Sequence, residues 1–176
     1  MTNPSPKVLA RGKYGSVKNP WTVVRGAPLS ANKPEILYVA AEYCPYCAGE
    51  NWSLIMALSR FGRFRNLHVV TSSSTDIYPI TRTFIVYRSQ YWSQYLKFVS
   101  VTETDRNEHP LQSPSAKQQA VLNRYDTAGG IPFLDLNNRA VSSIGYDVGG
   151  ASPQFRQSQV PGTKLESNLE TPKKPG

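Results

Sequence analysis

Apolar and polar positions alternate in blocks along this chain, and the blocks predict an α/β domain over residues 35–150. The continuous apolar run 36–41 is typical of a central strand that is covered on both faces. Residues 48–61 carry apolar side chains at helical spacing and therefore predict an amphipathic helix. Gly62 follows this segment and is the residue type that commonly ends a helix.

Short segments rich in aromatic and β-branched residues predict further strands at 67–71, 83–87 and 95–101. A polar segment separates the last two, so we expect them to pair as a β-hairpin. We interpret the stretch from about 72 to 116, which contains this hairpin and polar loops, as an insertion into the domain.

The last part of the domain predicts one helix and a strand pair. Residues 116–125 predict a short helix, which a Gly-Gly pair terminates. Residues 131–136 predict a core strand, and residues 140–144 predict its neighbour. The Asn-Asn pair at 137–138 tolerates the positive φ angles of a two-residue hairpin turn.

The two ends of the chain lack this periodicity, and they carry most of the net charge of +8. Residues 1–34 form a basic Pro/Gly-rich arm with six Lys or Arg and no acidic residue, whereas residues 35–150 hold ten of each sign. Such an arm could contact an anionic membrane surface, although a solvated tail is the commoner outcome. Residues 151–176 predict a disordered polar tail. No basic surface interleaved with aromatic residues is apparent, so we predict no nucleic-acid partner.

The sequence shows no apolar run of membrane-helix length and no export signal at its start, so we expect a soluble protein. Hydrophobic residues make up 39% of the chain, which is enough to pack a core without a structural crosslink. The two cysteines are therefore candidates for chemistry, although their number does not fix the redox compartment.

Cys44 and Cys47 lie where the first predicted strand passes into the first helix. A thiolate at a helix N-terminus meets unpaired backbone N–H groups and the positive end of the helix dipole, and both lower its pKa. We assign Cys44 as the nucleophile, facing the solvent, and Cys47, one turn later, as the sheltered resolving thiol. Pro45 suits the first helical position, where no N–H is needed, and Tyr46 could tune the thiolate.

Cysteines at this spacing also form half of a zinc site, but such a site needs three or four ligands. His68 lies in a predicted strand and His109 in a distant loop, and neither shows a ligand pattern. We therefore predict no metal site and no cofactor. A pair of structural thiols and metal binding by the two thiolates remain open as alternatives.

Residues 41–47, Ala-Glu-Tyr-Cys-Pro-Tyr-Cys, resemble the active-site segment of the thioredoxin superfamily, and their Cys-Pro-Tyr-Cys centre resembles the glutaredoxin form. Residues 129–138, Gly-Gly-Ile-Pro-Phe-Leu-Asp-Leu-Asn-Asn, are similar to the thioredoxin segment in which an Ile-Pro bond opens a strand. The resemblance implies a three-layer fold around a central mixed sheet. It also implies a cis Ile131–Pro132 bond beside the cysteines, so we expect both residues to bind substrate together with Pro45 and Tyr46.

The closer resemblance is to an uncharacterised thioredoxin-like group, the domain-of-unknown-function family 929. It rests on residues 35–62 and on Ser-Ser-Ser-Thr-Asp-Ile-Tyr-Pro at 72–79, and it spans about residues 27–150. This resemblance implies an extracytoplasmic, membrane-associated location, although the chain shows no anchor. Thioredoxin folds also close with a C-terminal helix, and the sequence predicts no such helix here.

The buried acid that thioredoxins carry six residues before the nucleophile is replaced in this chain by Tyr38. Proton transfer must therefore differ, or it must use Glu42 or Glu50 through water.

Together these features predict a monomeric thiol–disulfide oxidoreductase that acts on client protein thiols and disulfides and is recycled by an unknown redox partner. One alternative is a non-catalytic thioredoxin-like binding module that presents the 72–116 insertion to a partner. The other is a metal-binding protein or metallochaperone that uses both thiolates.

Overall fold

The structure, a computed structural model, describes residues 21–142. Within this range the chain forms nine strands and two helices. In chain order they are β1 Thr22–Val23, β2 Glu35–Ala40, α1 Pro45–Leu58, β3 Arg63–Arg65, β4 His68–Thr71, β5 Arg82–Ile85, β6 Gln90–Trp92, β7 Lys97–Thr102, α2 Ala116–Tyr125, β8 Phe133–Leu136 and β9 Ala140–Ser142.

A five-stranded mixed sheet in the order β1-β9-β8-β2-β7 forms the centre of the fold. Strand β2 runs parallel to β7 on one side and antiparallel to β8 on the other. Strands β8 and β9 form the expected hairpin, in which Asn137 and Asn138 have φ angles of 56° and 55°. The predicted mixed sheet and this turn are therefore confirmed.

Strand β2 is apolar throughout because both faces of the sheet are covered. Tyr38 and Ala40 point into a cluster with Leu54, Ile55 and Leu58 of α1. The alternate β2 residues, 37 and 39, point into a second cluster with two buried side chains of α2. Helices on opposite faces thus give an α/β architecture in which α1 packs on the sheet face that carries Tyr38 and Ala40.

The predicted β-hairpin between residues 83–87 and 95–101 is wrong. Strand β5 pairs antiparallel with β4, and β7 pairs in parallel with β2. The polar segment between them contains β6, which pairs with β3. Aromatic and β-branched content indicates that a segment is a strand, but burial decides its partner. Strand β7 lies within residues 72–116, the stretch that the sequence predicts as an insertion. It is nevertheless an edge strand of the central sheet.

Both helices form where the pattern predicts them. Helix α1 begins at Pro45 and ends at Leu58, about one turn earlier at each end than predicted, because Cys44 caps it and proline occupies its first turn. Helix α2 has the predicted bounds, since Ser115 and Gln118 form a capping box at its start.

Several sequence predictions fall outside residues 21–142. These are the disordered tail at 151–176, most of the basic arm, the end of the last strand, and the expected lack of a C-terminal closing helix. Within the described range, neither helix has the length and apolar character needed to cross a membrane.

Candidate functional site

The two cysteines lie at the N-terminus of α1, where β2 ends. Cys44 is the N-cap residue, with an extended backbone, and its Sγ accepts a hydrogen bond from the backbone N–H of Cys47 at 3.2 Å. Pro45 follows at the start of the helix, where its missing N–H costs no hydrogen bond. The sequence therefore places one sulfur at the free helical N–H groups, as predicted from the spacing.

The segment that leads into β8 completes the site. The Cys44 thiol lies 3.8 Å from the carbonyl oxygen of Ile131, to which it donates a hydrogen bond. The Ile131–Pro132 peptide bond is cis, as the resemblance implies. Pro132 is buried and Ile131 is half-buried. The structure thus brings Ile131 to the cysteines from a position 87 residues away in sequence.

Neither thiol faces the solvent. Cys44 retains 4% of its accessible surface and Cys47 retains none, and both are free thiols. The expectation that Cys44 faces the solvent is wrong, because Tyr43, Tyr46 and Ile131 pack against the cluster that contains both cysteines. The order of accessibility is nevertheless the predicted one, with Cys44 the more accessible thiol.

The two thiols differ sharply in acidity. A hydrogen bond from the Cys47 side chain lowers the pKa of Cys44, and the backbone N–H groups of Cys47 and Tyr46 lower it further, while burial and the charge of Asp76 oppose them. Burial raises the pKa of Cys47 well above its ordinary value, and its hydrogen bond to Cys44 adds to the increase. One sulfur is therefore suited to be a thiolate and the other to remain a thiol.

Tyr38 lies beneath the pair, at the strand position where thioredoxins carry an acid. It is fully buried, and its hydroxyl donates to Asn51 Oδ1 at 2.9 Å, with the carbonyl oxygen of Cys47 at 3.4 Å. Burial raises its pKa well above the ordinary value. The phenol is thus a neutral hydrogen-bond donor that supports the first turn of α1.

Two carboxyl groups lie near the cysteines along the chain, Glu42 before the pair and Glu50 after it. Burial raises the pKa of Glu42, and Asp105 adds to the increase, while the backbone N–H of Arg106 donates a hydrogen bond that lowers it. Glu50, on α1, has its pKa raised to about 7 by burial. The sequence predicts both residues as possible proton carriers. Their surroundings differ, because Asp105 and Arg106 act on Glu42, whereas burial is the cause of the shift at Glu50.

The loop over residues 72–81 covers one side of the site, which the sequence analysis missed. The Ser73 N–H donates to the carbonyl oxygen of Tyr43 at 2.9 Å. The Tyr78 ring meets Tyr46 edge to face, with centroids 6.0 Å apart. Tyr46 therefore packs toward this loop. The recognisable run at 72–79 was the signal that this segment has a defined role.

The metal alternative finds no further ligands in the described part of the chain. No group of three or more His, Cys, Asp or Glu side chains is placed there to hold a metal ion. His109 instead pairs with Asp105 at 3.0 Å in the loop after β7, and His68 is exposed on β4.

A family model described as Domain of unknown function (DUF929) matches residues 22–125, which is more than half of the chain. The protein belongs to the DUF929 family. The DUF929 match covers both cysteines and both helices, and it stops before the Ile131–Pro132 segment. No curated protein and no solved structure matches the chain.

Proposed function

We propose that this DUF929 protein is a thiol–disulfide oxidoreductase that acts on protein cysteines. The observation that carries the proposal is the asymmetry of the pair at the start of α1. Cys44 Sγ accepts a backbone hydrogen bond and is held near the Ile131 carbonyl, whereas Cys47 is sealed in the core. An acidic, more accessible thiol followed by a buried thiol is the arrangement that dithiol exchange requires.

In the reducing direction, the Cys44 thiolate attacks one sulfur of a client disulfide. The second client sulfur leaves as a thiolate, and a mixed disulfide joins Cys44 to the client. Cys47 then loses its proton and attacks Cys44 Sγ, which releases the first client sulfur as a thiolate. The client gains two electrons and two protons, and the protein loses them as its two thiols become the Cys44–Cys47 disulfide. Oxidation of a client runs through the same steps in reverse.

The order of elements supports a thioredoxin-like and glutaredoxin-type assignment of the site. Strand β2, helix α1, parallel strand β7, helix α2 and the antiparallel pair β8–β9 follow each other in the chain. The cysteines follow the first of these strands, and the cis Ile131–Pro132 bond precedes the antiparallel pair. The substrate groove proposed here lies between these two points and includes Pro45 and Tyr46.

One observation favours a second candidate, a non-catalytic binding module. Cys44 exposes 4% of its surface, and the loop at 72–81 is bonded to the neighbouring Tyr43. An attacking sulfur needs access to its substrate, so a closed site is compatible with thiols that only pack.

Equilibration of the full chain in a series of thiol–disulfide buffers, followed by alkylation and mass measurement, tests the proposal. We expect a reversible Cys44–Cys47 disulfide with a midpoint between about −120 and −270 mV, the range of catalytic dithiols. The reduced Cys47→Ser variant should in addition accumulate a mixed disulfide with an unfolded client that contains a disulfide, and the Cys44→Ser variant should not.

Failure to form the disulfide reversibly, or a midpoint below about −300 mV, would overturn the proposal and favour the packing or metal-binding alternatives. Metal analysis of the purified protein and of Cys47→Ser separates these two, because thiolate-bound metal disappears when one ligand is removed.

A further inference from the structure

The resolving step needs an acceptor for the Cys47 proton, and the two cysteines do not supply one. Cys47 has no accessible surface, and burial raises its pKa well above the ordinary value. It must nevertheless lose a proton before it can attack the mixed disulfide, since the thiolate is the nucleophile. With no surface open to water, a group inside the protein has to receive that proton.

Glu50 is placed to receive it. It follows Cys47 by three residues on α1, and side chains at this spacing lie on the same helical face about 5–6 Å apart at Cβ. The negative charge of Glu50 raises the pKa of the Cys47 thiol and of the Tyr38 hydroxyl, so the carboxylate lies close enough to interact with both groups. The carboxyl group is half-buried, and burial is what shifts its acidity.

The other groups around this position are already engaged. The Tyr38 hydroxyl donates to Asn51, and from β5 the Thr83 hydroxyl donates to the carbonyl oxygen of Ala48 at 2.8 Å. Glu42, the other carboxyl near the cysteines, accepts a hydrogen bond from the Arg106 N–H and lies beside Asp105. For Glu50, burial is the cause of the raised pKa, and no hydrogen bond contributes to it.

We propose that Glu50 is the proton acceptor for Cys47 in the resolving step, and its proton donor when the reaction runs in reverse. This inference rests on the proposed oxidoreductase function and names one more residue in it. The Cys47 proton passes to the Glu50 carboxylate as the Cys47 thiolate attacks Cys44 Sγ. The Cys44–Cys47 bond forms, the bond to the client sulfur breaks, and the client leaves as a thiolate. In the reverse reaction Cys47 leaves as a thiolate and takes the proton back.

The acidity of Glu50 suits this exchange. With a pKa of about 7, the carboxyl group is present in both protonation states near neutral pH. A group whose pKa lies close to the working pH is the most effective proton carrier, because it is both available and sufficiently basic. Glu50 can therefore serve the forward and the reverse step in the same medium.

The test uses 5,5′-dithiobis(2-nitrobenzoate) and the full-length reduced protein in stopped flow. Attack by Cys44 releases the first coloured thiolate, and resolution by Cys47 releases the second. We expect Glu50→Gln to leave the first phase unchanged and to slow the second by about 10-fold or more at pH 7, the lower range of general base catalysis. The wild-type second phase should rise with pH to a plateau with a midpoint near 7, and Glu50→Gln should lack this midpoint.

Two further variants keep the result interpretable. Glu50→Asp retains a carboxylate and should recover part of the second-phase rate. Glu103→Gln is the matched control, because it removes another half-buried carboxyl whose pKa burial raises, and it should behave as wild type. Equal second phases in wild type and Glu50→Gln would overturn the role of Glu50 while leaving the dithiol chemistry intact. A wild-type protein that releases only the first thiolate would instead overturn the oxidoreductase proposal itself.

Discussion

At the scale of single residues, the largest single contribution that lowers the pKa of Cys44 comes from its neighbour in the pair. The side chain of Cys47 makes the largest contribution to lowering its pKa, ahead of the backbone N–H groups. The resolving thiol therefore acts twice in the proposed reaction, first as a hydrogen-bond donor to the nucleophile and later as the attacking group.

Replacement of Cys47 separates the side-chain contribution from the backbone contribution. We expect Cys47→Ala to raise the pKa of Cys44 relative to Cys47→Ser, because a serine hydroxyl can still donate to the sulfur while both variants keep the backbone N–H. The rate of alkylation by iodoacetamide as a function of pH measures this difference. Identical midpoints in the two variants would contradict it.

The raised pKa of Glu50 also predicts how the stability of the fold depends on pH, independently of any activity. Its pKa is raised from 4.5 to about 7 in the folded protein, so folding favours the protonated form. The stability associated with this group is fully present below pH 4.5 and is lost as the pH rises through 7. Each pKa unit corresponds to about 1.4 kcal/mol, and partial exposure reduces the total.

We therefore expect Glu50→Gln to unfold at higher urea concentration than wild type at pH 8, by about 1–2 kcal/mol in free energy of unfolding. At pH 4 the two proteins should differ little, because the wild-type carboxyl group is then protonated in both states. A difference that is the same at both pH values would show that burial does not shift this group.

At the scale of elements, the bounds of a helix can be predicted from adjacent residues, whereas the pairing of strands depends on residues that are distant in the sequence. Helix α2 has its predicted bounds, and the residues that fix its start are close together in the sequence, since Ser115 and Gln118 form the capping box. The partners of β5 and β7 were not predicted, because strand pairing depends on which apolar side chains find a common core. The same distinction holds in the site, where Cys44, Cys47 and the Ile131–Pro132 pair belong to recognisable motifs, while the contact between Tyr43 and the 72–81 loop does not.

Gly62 shows how an element boundary can serve packing. A Cβ at this position would lie 2.2 Å from the carbonyl oxygen of Trp92 and 2.6 Å from the Tyr91 ring. The residue that the sequence suggests as a helix stop thus allows β6 to approach the end of α1.

We expect Gly62→Ala to destabilise the protein by about 1–3 kcal/mol, the usual cost of overpacking. Gly129→Asn is the matched control, because no atom lies within 4 Å of a Cβ at Gly129 and asparagine tolerates its φ of +66°. Thermal unfolding of both variants measures the difference. Equal stability of the two would contradict the close contact at Gly62.

At the scale of the whole molecule, residues before β2 take part in the main sheet. Strand β1 pairs antiparallel with β9, and Leu29 is 3% exposed within the cluster on the α2 face. The Leu29 N–H and the Glu35 N–H both donate to Asn137 Oδ1, which ties this segment to the β8–β9 turn. Sequence periodicity did not indicate this, because one buried leucine and a two-residue strand carry too few positions to form a pattern.

Truncation of Leu29 tests this integration. We expect Leu29→Ala to cost about 2–4 kcal/mol of unfolding free energy, as for other buried leucines. Val23→Ala should be close to neutral, because Val23 is 81% exposed on β1. Denaturant unfolding of the two variants provides the comparison, and a neutral Leu29→Ala would mean that this segment does not belong to the core.

The residues matched by the family model do not include every strand of the central sheet. The match stops at residue 125, whereas β8, the antiparallel neighbour of β2, begins at Phe133. A fragment cut to the matched range would keep both thiols and lose the strand that faces them. It would also turn β2 into an open edge, apolar on both sides, which invites pairing between molecules. Expression of the matched segment alone would therefore yield aggregates, and their failure to react would say nothing about the chemistry of the intact chain.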